Sequence, residues 1–353
     1  MTLILPKFES LHHTRNETTV HRLVQRATRD DPDLRPDPAL AIVAANALLQ
    51  EWSNTVHATV HGQRLRSNTT VLVSHAEDWL WEPDAHPVLF RAGASLGESG
   101  AVAQAIDYWK DMNKTAIQRL GADHPDTLDT RNNLASWRGE GGDVAGAVAE
   151  SEVLLEDRVR VLGADHPDTL VTRSNLAGWR GEGGDVAGAV AEFEALLEVQ
   201  VRVLGADHPD TLTTRNNLAF WRGHSGDVAG AVAESEALLE DRVRVLGADH
   251  PATLVTRNNL ASWRGEGGDV AGAMVEFEAL LEDRVRVLGA DHPATLTTRN
   301  NLAFWRAEGG DVAGAVAEFE ALLEAQLRVL GADHPDTLTT QHTLEFFAKN
   351  RDR

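Results

Sequence analysis

The apolar residues of this chain recur at helical spacing inside a block that repeats along most of its length. The pentapeptide Gly-Ala-Asp-His-Pro begins every 42 residues, at Gly121, Gly163, Gly205, Gly247, Gly289 and Gly331. Within one block the apolar side chains lie on one helix face: Val228, Ala231, Val232, Leu238, Leu239, Val243 and Leu246. A period of about 20 to 50 residues is typical of an open stack, in which each unit buries its apolar face against its neighbours. The pattern predicts one elongated helical domain.

Each block predicts two helices, A and B, joined by a glycine-containing turn. In the third block, Pro209 suits the first turn of a helix A that runs to about Arg222. Gly223 and Gly226 are expected to break that helix, and Asp227 to cap helix B. Helix B then extends for about 20 residues, or roughly 30 Å. The glycine that opens the next pentapeptide ends it.

Small and aromatic residues at fixed places predict how the helices pack. Larger side chains would overpack a close crossing of helices A and B, where every block has alanine: Ala135, Ala177, Ala219, Ala261 and Ala303 in A, and Ala147, Ala189, Ala231, Ala273 and Ala315 in B. Tryptophan near the end of each helix A is interpreted as core between units, because each ring buries about 150–250 Å²: Trp137, Trp179, Trp221, Trp263 and Trp305. The alternative is a stacking ladder for bases or sugars.

The periodicity divides the chain into four parts. They are a non-repeat head over residues 1–36, degenerate helical repeats over 37–120, five near-identical repeats over 121–330 and a capping helix over 331–353. In the degenerate part, residues 38–56 and 70–81 predict one helical pair, and 97–120 aligns with a helix B whose helix A is about four residues shorter. The last unit stops after helix A and carries Glu345 in place of alanine, as suits a cap.

The motif Asn-Asn-Leu-Ala over residues 216–219, followed by Gly226 and Ala231, resembles the tetratricopeptide repeat. The 42-residue length and the Leu-Gly-x-Asp-His-Pro lead resemble the kinesin light chain-like subtype, which is common in bacterial signalling proteins. The resemblance implies an all-α, right-handed superhelical solenoid of helix–turn–helix repeats with a concave groove. The chain departs from the family near the end of helix A, where arginine stands in the usual aromatic position and tryptophan precedes it.

The head carries a weaker resemblance. Residues 20–25 are similar to the stretch that joins the winged-helix part to the repeat array in signal-transducing NTPases with numerous repeats, so the head is interpreted as a remnant of a winged-helix linker. The sequence has no Gly-x-x-x-x-Gly-Lys-Ser/Thr phosphate loop. We therefore expect this chain not to carry that ATPase, and to be the sensor end of such a system, a truncated relative of it or an excised part of it.

The composition limits the classes of partner that this chain is expected to bind. The net charge of -21 repels phosphate backbones and anionic lipids, so nucleic acid and membrane partners are not expected, whereas proteins and neutral or basic peptides are. The alternative is that the charge serves solubility alone. The chain has no cysteine and no apolar run of the roughly 18 residues that a membrane span needs, which favours the cytoplasm. No cofactor is predicted.

Histidine begins every helix A, which suits capping and not metal binding. The series is His124, His166, His208, His250, His292 and His334. Neighbours should lie roughly 20 Å apart if each packed helix adds about 8–10 Å, whereas metal ligands lie about 2 Å from one ion. The acidic residues are equally periodic, as on solvated helix faces. No catalytic residue, metal site or enzyme activity is predicted.

Asparagine provides the candidate binding site. One helix A position is always asparagine, at Asn133, Asn175, Asn217, Asn259 and Asn301, and the position before it is asparagine in four units, at Asn132, Asn216, Asn258 and Asn300, with Ser174 in the fifth. The resemblance places both positions on the concave groove, the second bonding the backbone of an extended peptide. A carboxamide offers donor and acceptor to any main chain. The alternative is that each asparagine bonds its neighbour's backbone to fix the stack, and the sequence leaves both open.

Four residues after the first asparagine, on the same face, stand Ser136, Gly178, Phe220, Ser262 and Phe304. Phe220 and Phe304 are the candidate aromatic anchors, which implies a peptide with two spaced apolar side chains. A similar alternation of small and aromatic residues on helix B reflects either contact across the unit boundary or recent duplication. The family's grip on C-terminal carboxylates uses lysine and arginine at groove positions that here hold other residues, so such a ligand is not favoured.

The sequence thus predicts a non-catalytic protein- or peptide-recognition module with a concave, asparagine-lined groove, used as the sensor of a bacterial signalling or defence system. The alternative is a structural scaffold that self-associates and has no peptide ligand.

Overall fold

The computed structural model of the chain describes residues 12–14, 17–19, 38–52, 60–332 and 334–350. These residues form 15 α-helices, one 3-10 helix over Glu77–Trp81 and one antiparallel hairpin, in which β1 (His12–Thr14) pairs with β2 (Glu17–Thr19). The helices are α1 Pro38–Trp52, α2 Val60–Ala76, α3 Pro87–Glu98, α4 Val102–Arg119, α5 Pro125–Glu140, α6 Val144–Val161, α7 Pro167–Glu182, α8 Val186–Val203, α9 Pro209–His224, α10 Val228–Leu246, α11 Pro251–Glu266, α12 Val270–Leu288, α13 Pro293–Glu308, α14 Val312–Val329 and α15 Pro335–Asn350.

From α3 onward the helices alternate between A and B, and each packs against the helix before it and the helix after it. The A helices of neighbouring units also contact one another, while the B helices contact mainly the A helices on either side. The stack therefore curves with its A helices on the inside. The predicted helical solenoid is confirmed. The α3 helix is four residues shorter than the 16-residue A helices that follow, as expected.

The first helical pair differs from the prediction at its second helix. That helix begins at Val60, about ten residues before the expected start at residue 70, and ends at Ala76, after which the 3-10 turn follows. Its first half carries few apolar residues, so no helical period was visible there. Leu65 is buried in the N-terminal core together with Trp52 and Leu80, which shows that tertiary contacts compensate for a weak local pattern.

The histidine and aspartate caps form as expected. At each A helix the Nδ1 atom of the histidine accepts the N–H of the residue two positions on, for example Asp210 to His208 at 3.2 Å. At the B helices of the five near-identical units an aspartate accepts the N–H of the third residue after it, as Asp227 does from Gly230 at 2.9 Å, whereas α4 begins after Ala101 and has no side-chain cap. Both contacts satisfy a backbone donor that a helix start otherwise leaves free. The alanines at the A–B crossing are all buried, which confirms the close approach of the two helices.

Each of the five periodic tryptophans packs across the unit boundary onto a glycine of the preceding A helix. A Cβ atom placed on Gly181 would lie 2.5 Å from the ring of Trp221, and one on Gly265 would lie 2.6 Å from that of Trp305. The interpretation of the tryptophans as core between units is confirmed. The expectation that Gly223 breaks its helix is wrong, because α9 continues to His224 and the glycine makes room for the ring of the next unit.

The last unit supports this size relation between the two positions. Phe347 replaces tryptophan there, and Ala307 replaces the glycine on which the ring would lie. Both side chains belong to the same buried cluster. A smaller ring thus goes with a larger opposing residue, as close packing requires.

Arginine is buried at the contact between a B helix and the A helices on both sides in three units. Arg242 is 3% exposed, and its guanidinium donates to the carbonyls of Leu212 and Ala252 and to Thr256 Oγ1 at 2.6–3.1 Å. Burial lowers the pKa of Arg242 to about 10, so it remains a cation near neutral pH. The preceding Asp241 binds Arg215 at 2.6 Å. Sequence reasoning did not identify this buried series.

The two ends of the array also touch. Gly100, in the turn between α3 and α4, lies against the imidazole of His334, which precedes α15. The His334 side chain is 12% exposed, compared with 40% for His166 and 38% for His208 at the same position in other units. The stack therefore curves far enough to bring its last unit back onto the unit formed by α3 and α4.

We expect Gly181→Ala to destabilise the array by about 1–3 kcal/mol, because the added methyl group overpacks the ring of Trp221. Adding Trp221→Phe should recover part of that loss, as the Ala307–Phe347 pair indicates. The matched control is Gly178→Ala on the same helix, where a Cβ atom has nothing within 4 Å. This control should be neutral or stabilising by roughly 0.5–1 kcal/mol, because alanine favours the helix. Urea unfolding followed by circular dichroism measures all three; equal losses for both glycines would contradict the packing argument.

Candidate functional site

The asparagine pairs lie on the inner side of the stack, where successive A helices contact one another. All nine predicted asparagines, Asn132, Asn133, Asn175, Asn216, Asn217, Asn258, Asn259, Asn300 and Asn301, are partly exposed. They are neither turned fully to solvent nor enclosed in the packing. This surface, formed by the asparagine pairs and the residues four positions on, is called the inner wall below.

Three hydrogen bonds connect the asparagines of neighbouring units. The second asparagine of one unit donates from Nδ2 to Oδ1 of the first asparagine in the unit before it, and these contacts are called the amide ladder: Asn175 to Asn132 at 3.2 Å, Asn259 to Asn216 at 3.2 Å and Asn301 to Asn258 at 3.1 Å. Thr340 continues it by donating to Asn300 at 3.3 Å. The alternative from the sequence was that each asparagine bonds the backbone of the neighbouring unit. At these positions the asparagines instead bond the side chains of the neighbouring unit.

The amide ladder leaves part of each carboxamide unused. The first asparagine of a bonded pair, such as Asn216, accepts through Oδ1 and keeps its Nδ2 donors, whereas the second, Asn259, keeps its Oδ1 acceptor. Within the described chain these remaining atoms make no other hydrogen bond. Each contact therefore leaves unused N–H donors and an unused Oδ1 acceptor on the partly exposed inner wall, and a peptide main chain offers the complementary groups.

The ladder is interrupted between the second and third units. Asn217 lies opposite Ser174, and neither side chain makes a hydrogen bond within the described residues. Beside them a pocket of about 340 Å³ opens where Gly178 has no side chain. This space, lined by Ser174, Gly178, Asn217 and Phe220 with Trp179 and Trp221 as aromatic walls, is called the gap pocket.

The two predicted aromatic anchors differ in exposure. Phe220 is half-buried, because its ring packs edge-on against Trp221 at 5.1 Å and lies 4.2 Å from the imidazole of His224. Phe304 is 38% exposed and contacts Trp305 at 5.2 Å. Phe346 holds the same position in the last unit and is 61% exposed. The anchor positions thus become more exposed toward the C-terminal end of the array.

Unpaired glutamates accompany the inner wall at the end of the A helices. Glu140, Glu182, Glu266 and Glu308 are exposed and form no ion pair in the part of the chain that the structure describes. Two glutamate positions of helix B are paired with arginine, as when Arg180 binds Glu152 at 2.8 Å and Arg131 binds Glu150 at 2.8 Å. The inner wall therefore carries excess negative charge at one edge. Sequence reasoning treated these glutamates as part of a solvated face.

One group of side chains has the composition of a metal site. Asp84, His124 and Asp126 bring ligand atoms within 4.8 Å of one another. Their atoms already have structural partners, because His124 Nδ1 accepts the N–H of Asp126, its Nε2 contacts Asp84 at 3.2 Å, and Asp126 accepts the N–H of Ala85 at 2.8 Å. The group connects the short first unit to α5. No helix among the described residues has the length and apolarity to cross a membrane.

Comparison with known proteins agrees with the repeat architecture. The family model of the tetratricopeptide repeat matches five consecutive segments, residues 127–168, 169–210, 211–252, 253–294 and 295–336. No curated protein matches the sequence. The resemblance of residues 20–25 to NTPase linkers lies outside the described residues and stays a prediction.

Three solved structures are similar to the chain. A candidate kinesin light chain of Podosopora anserina with nearly identical TPR-like repeats is 26% identical, with a TM-score of 0.49 over 58% of this chain and 97% of its own. BtubC (BKLC) from P. vanneervenii is 20% identical, with a TM-score of 0.48 over 69% of this chain and 92% of its own. A Rap protein complexed with Competence and Sporulation Factor is 10% identical, with a TM-score of 0.58 over 92% of both chains; this likeness concerns the fold alone.

The matched segments follow one another without a gap, cover more than half of the sequence, and each contain most of one A helix and one B helix. This chain belongs to the tetratricopeptide repeat family.

Proposed function

We propose that the array is a non-catalytic recognition module that binds an extended peptide, or an extended segment of a protein, along its inner wall. The observation that supports this most is the amide ladder, because each of its contacts leaves donor and acceptor atoms of partly exposed side chains without a partner among the described residues. An extended main chain carries donors and acceptors in alternation and can use both. Binding of this kind depends little on the peptide's side chains.

Side-chain preference comes from other features of the wall. The exposed ring of Phe304 and the half-buried ring of Phe220 offer apolar contact to two positions of the ligand. The unpaired glutamates and the net charge of -21 favour a neutral or basic peptide over an acidic one. In a cell, such a module serves as the sensing part of a bacterial cytoplasmic signalling or defence system. The resemblance of residues 20–25 to NTPase linkers extends the proposal to an NTPase as the partner of this module.

A self-associating scaffold is the second candidate. The feature that favours it is the last helix, where Phe346 is 61% exposed and Leu338 is 42% exposed. An apolar surface on a terminal unit could bind another copy of the array, since end units of a stack lack one neighbour.

The inner wall is tested with four serine substitutions that copy the residue found at position 174. Asn132, Asn216, Asn258 and Asn300 are all changed to Ser, and the probe is the tightest binder selected from a random library of 12-residue peptides on the full chain. We expect at least tenfold weaker binding, about 1.4 kcal/mol, in fluorescence anisotropy. The array should remain folded, because the second unit already carries serine there.

The control changes four exposed valines on the B helices to Ser, namely Val159, Val201, Val243 and Val285. They share one position of the repeat, so the number of substitutions and of units is matched. This variant should bind the selected peptide as the parent does. If it loses binding while the four-serine variant keeps it, or if no peptide can be selected, the inner wall is not the binding surface.

The scaffold alternative makes a separate prediction about mass. If the array is a recognition module, light scattering should report the monomer mass of 38.3 kDa from low to high micromolar protein. A mass that rises with concentration, and that Phe346→Ser returns to the monomer value, would instead establish self-association through the last helix. Phe304→Ser is the control, because it removes the equivalent ring from an internal unit.

A further inference from the structure

We propose that the gap pocket binds an arginine side chain of the peptide held on the inner wall. This inference rests on the proposed function and adds a preference for one residue at one place in the ligand. It is carried by four observations, taken in turn: the space itself, its aromatic walls, its uncompensated charge and its unused polar atoms.

The space exists because the second unit departs from the others at two positions. Serine replaces the first asparagine at Ser174, and glycine replaces the serine or phenylalanine that other units have at Gly178. A Cβ atom on Gly178 would have nothing within 4 Å, whereas one on Gly181 of the same helix would meet Trp221. Packing thus requires glycine at 181 and not at 178. The missing side chain leaves room of about 340 Å³ that opens onto the inner wall.

Aromatic rings form much of the pocket's surface. Trp179, Trp221 and Phe220 all line it, and Phe193 lies at its buried base. Tryptophan and phenylalanine faces attract cations, and the planar guanidinium group both stacks on such rings and loses little hydration in doing so. An ammonium group lacks the planar shape and is more strongly hydrated. The walls therefore favour arginine over lysine.

Two carboxylates lie on the pocket without a cation to balance them. Glu140 and Glu182 both line it, and neither forms an ion pair within the described chain. The pocket is lined by no lysine, arginine or histidine of the described residues. Two negative groups beside low-dielectric rings are stabilised by a bound positive charge, and a guanidinium can form paired hydrogen bonds with a carboxylate.

The amide and hydroxyl groups complete the set of acceptors. Asn217 would bond an asparagine at position 174, but Ser174 leaves its carboxamide without a partner among the described residues. The Oδ1 atom of Asn217 and the Oγ atom of Ser174 can both accept hydrogen bonds, and a guanidinium has five N–H donors to distribute among such groups. At the next unit boundary the atom equivalent to Ser174 Oγ is already used, since Asn216 Oδ1 accepts from Asn259.

Fluorescence anisotropy with the full chain tests the assignment. The probes are labelled 11-residue peptides of alternating alanine and serine whose central residue is arginine, citrulline, lysine or glutamate. Citrulline has the shape of arginine without its charge. We expect the arginine peptide to bind at least tenfold more tightly than the citrulline peptide at low salt, with the ratio falling at 0.5 M salt because exposed carboxylates are screened. The lysine peptide should lie between them, and the glutamate peptide should bind most weakly.

Two variants close the pocket with residues that the chain itself uses at the same position. Gly178→Phe introduces the side chain of Phe220 and Phe304, and Ser174→Asn introduces that of Asn216 and Asn258. Each should reduce the ratio of arginine to citrulline affinity to about one third or less of its original value, while binding of the citrulline peptide persists. Ser262→Phe makes the equivalent change two units away and should leave the ratio unaltered.

A second pair of variants isolates the charge. Glu140→Gln with Glu182→Gln should remove most of the preference for arginine. Glu266→Gln with Glu308→Gln, which removes the same number of negative charges, should preserve it. The assignment is wrong if arginine and citrulline peptides bind alike, if Gly178→Phe keeps the preference, or if lysine equals arginine. If the peptides bind without preference and the four-serine variant still loses them, the inner wall is right and the pocket assignment fails. Failure of every peptide to bind overturns both.

Discussion

The arrangement of this protein depends on the contact between a tryptophan ring and a glycine of the preceding A helix. The missing side chain at Gly181 lets the ring of Trp221 lie directly on the helix backbone, which holds neighbouring A helices at one close distance. Because the same pair recurs at five successive boundaries, and Ala307 with Phe347 takes its place at the last, equivalent residues come into register along the inner wall. Asn132 and Asn175, 43 residues apart, then reach hydrogen-bonding distance. The polar surface proposed to bind peptides is thus a consequence of an apolar contact.

Sequence reasoning predicted the features that depend on residues close along the chain. The histidine and aspartate caps, the small residues at the A–B crossing and the helical period all follow from local rules, and the structure has them. Gly223 was misread because those rules treat a helical glycine as a break, whereas its partner ring belongs to the next unit. The hydrogen bonds between asparagines could not be derived either, since they require the register of two helices. The serine at position 174 is visible in the sequence, but the pocket beside it depends on how the side chains of two neighbouring units are arranged in space.

Charge is balanced locally even where it is buried. Arg158, Arg242 and Arg284 each follow an aspartate, while Gln200 and Gln326 at the same position follow valine and alanine. The aspartate binds the neighbouring arginine of helix A, as Asp241 binds Arg215, so that the two cations do not face each other uncompensated. Where the arginine is replaced by glutamine, the aspartate before it is also replaced by a neutral residue, so the net charge of the unit is unchanged. The glutamates of the inner wall differ in this respect, because they form no ion pair among the described residues, whereas arginines compensate most acidic groups on the B helices.

The contact between Gly100 and His334 limits how such an array can grow. One more 42-residue repeat at the C-terminal end would lie next to the unit formed by α3 and α4. Its helices would then pack against side chains of that unit that now face solvent. An array of this curvature can vary its ligand preference by exchanging side chains within existing units more readily than by acquiring new ones.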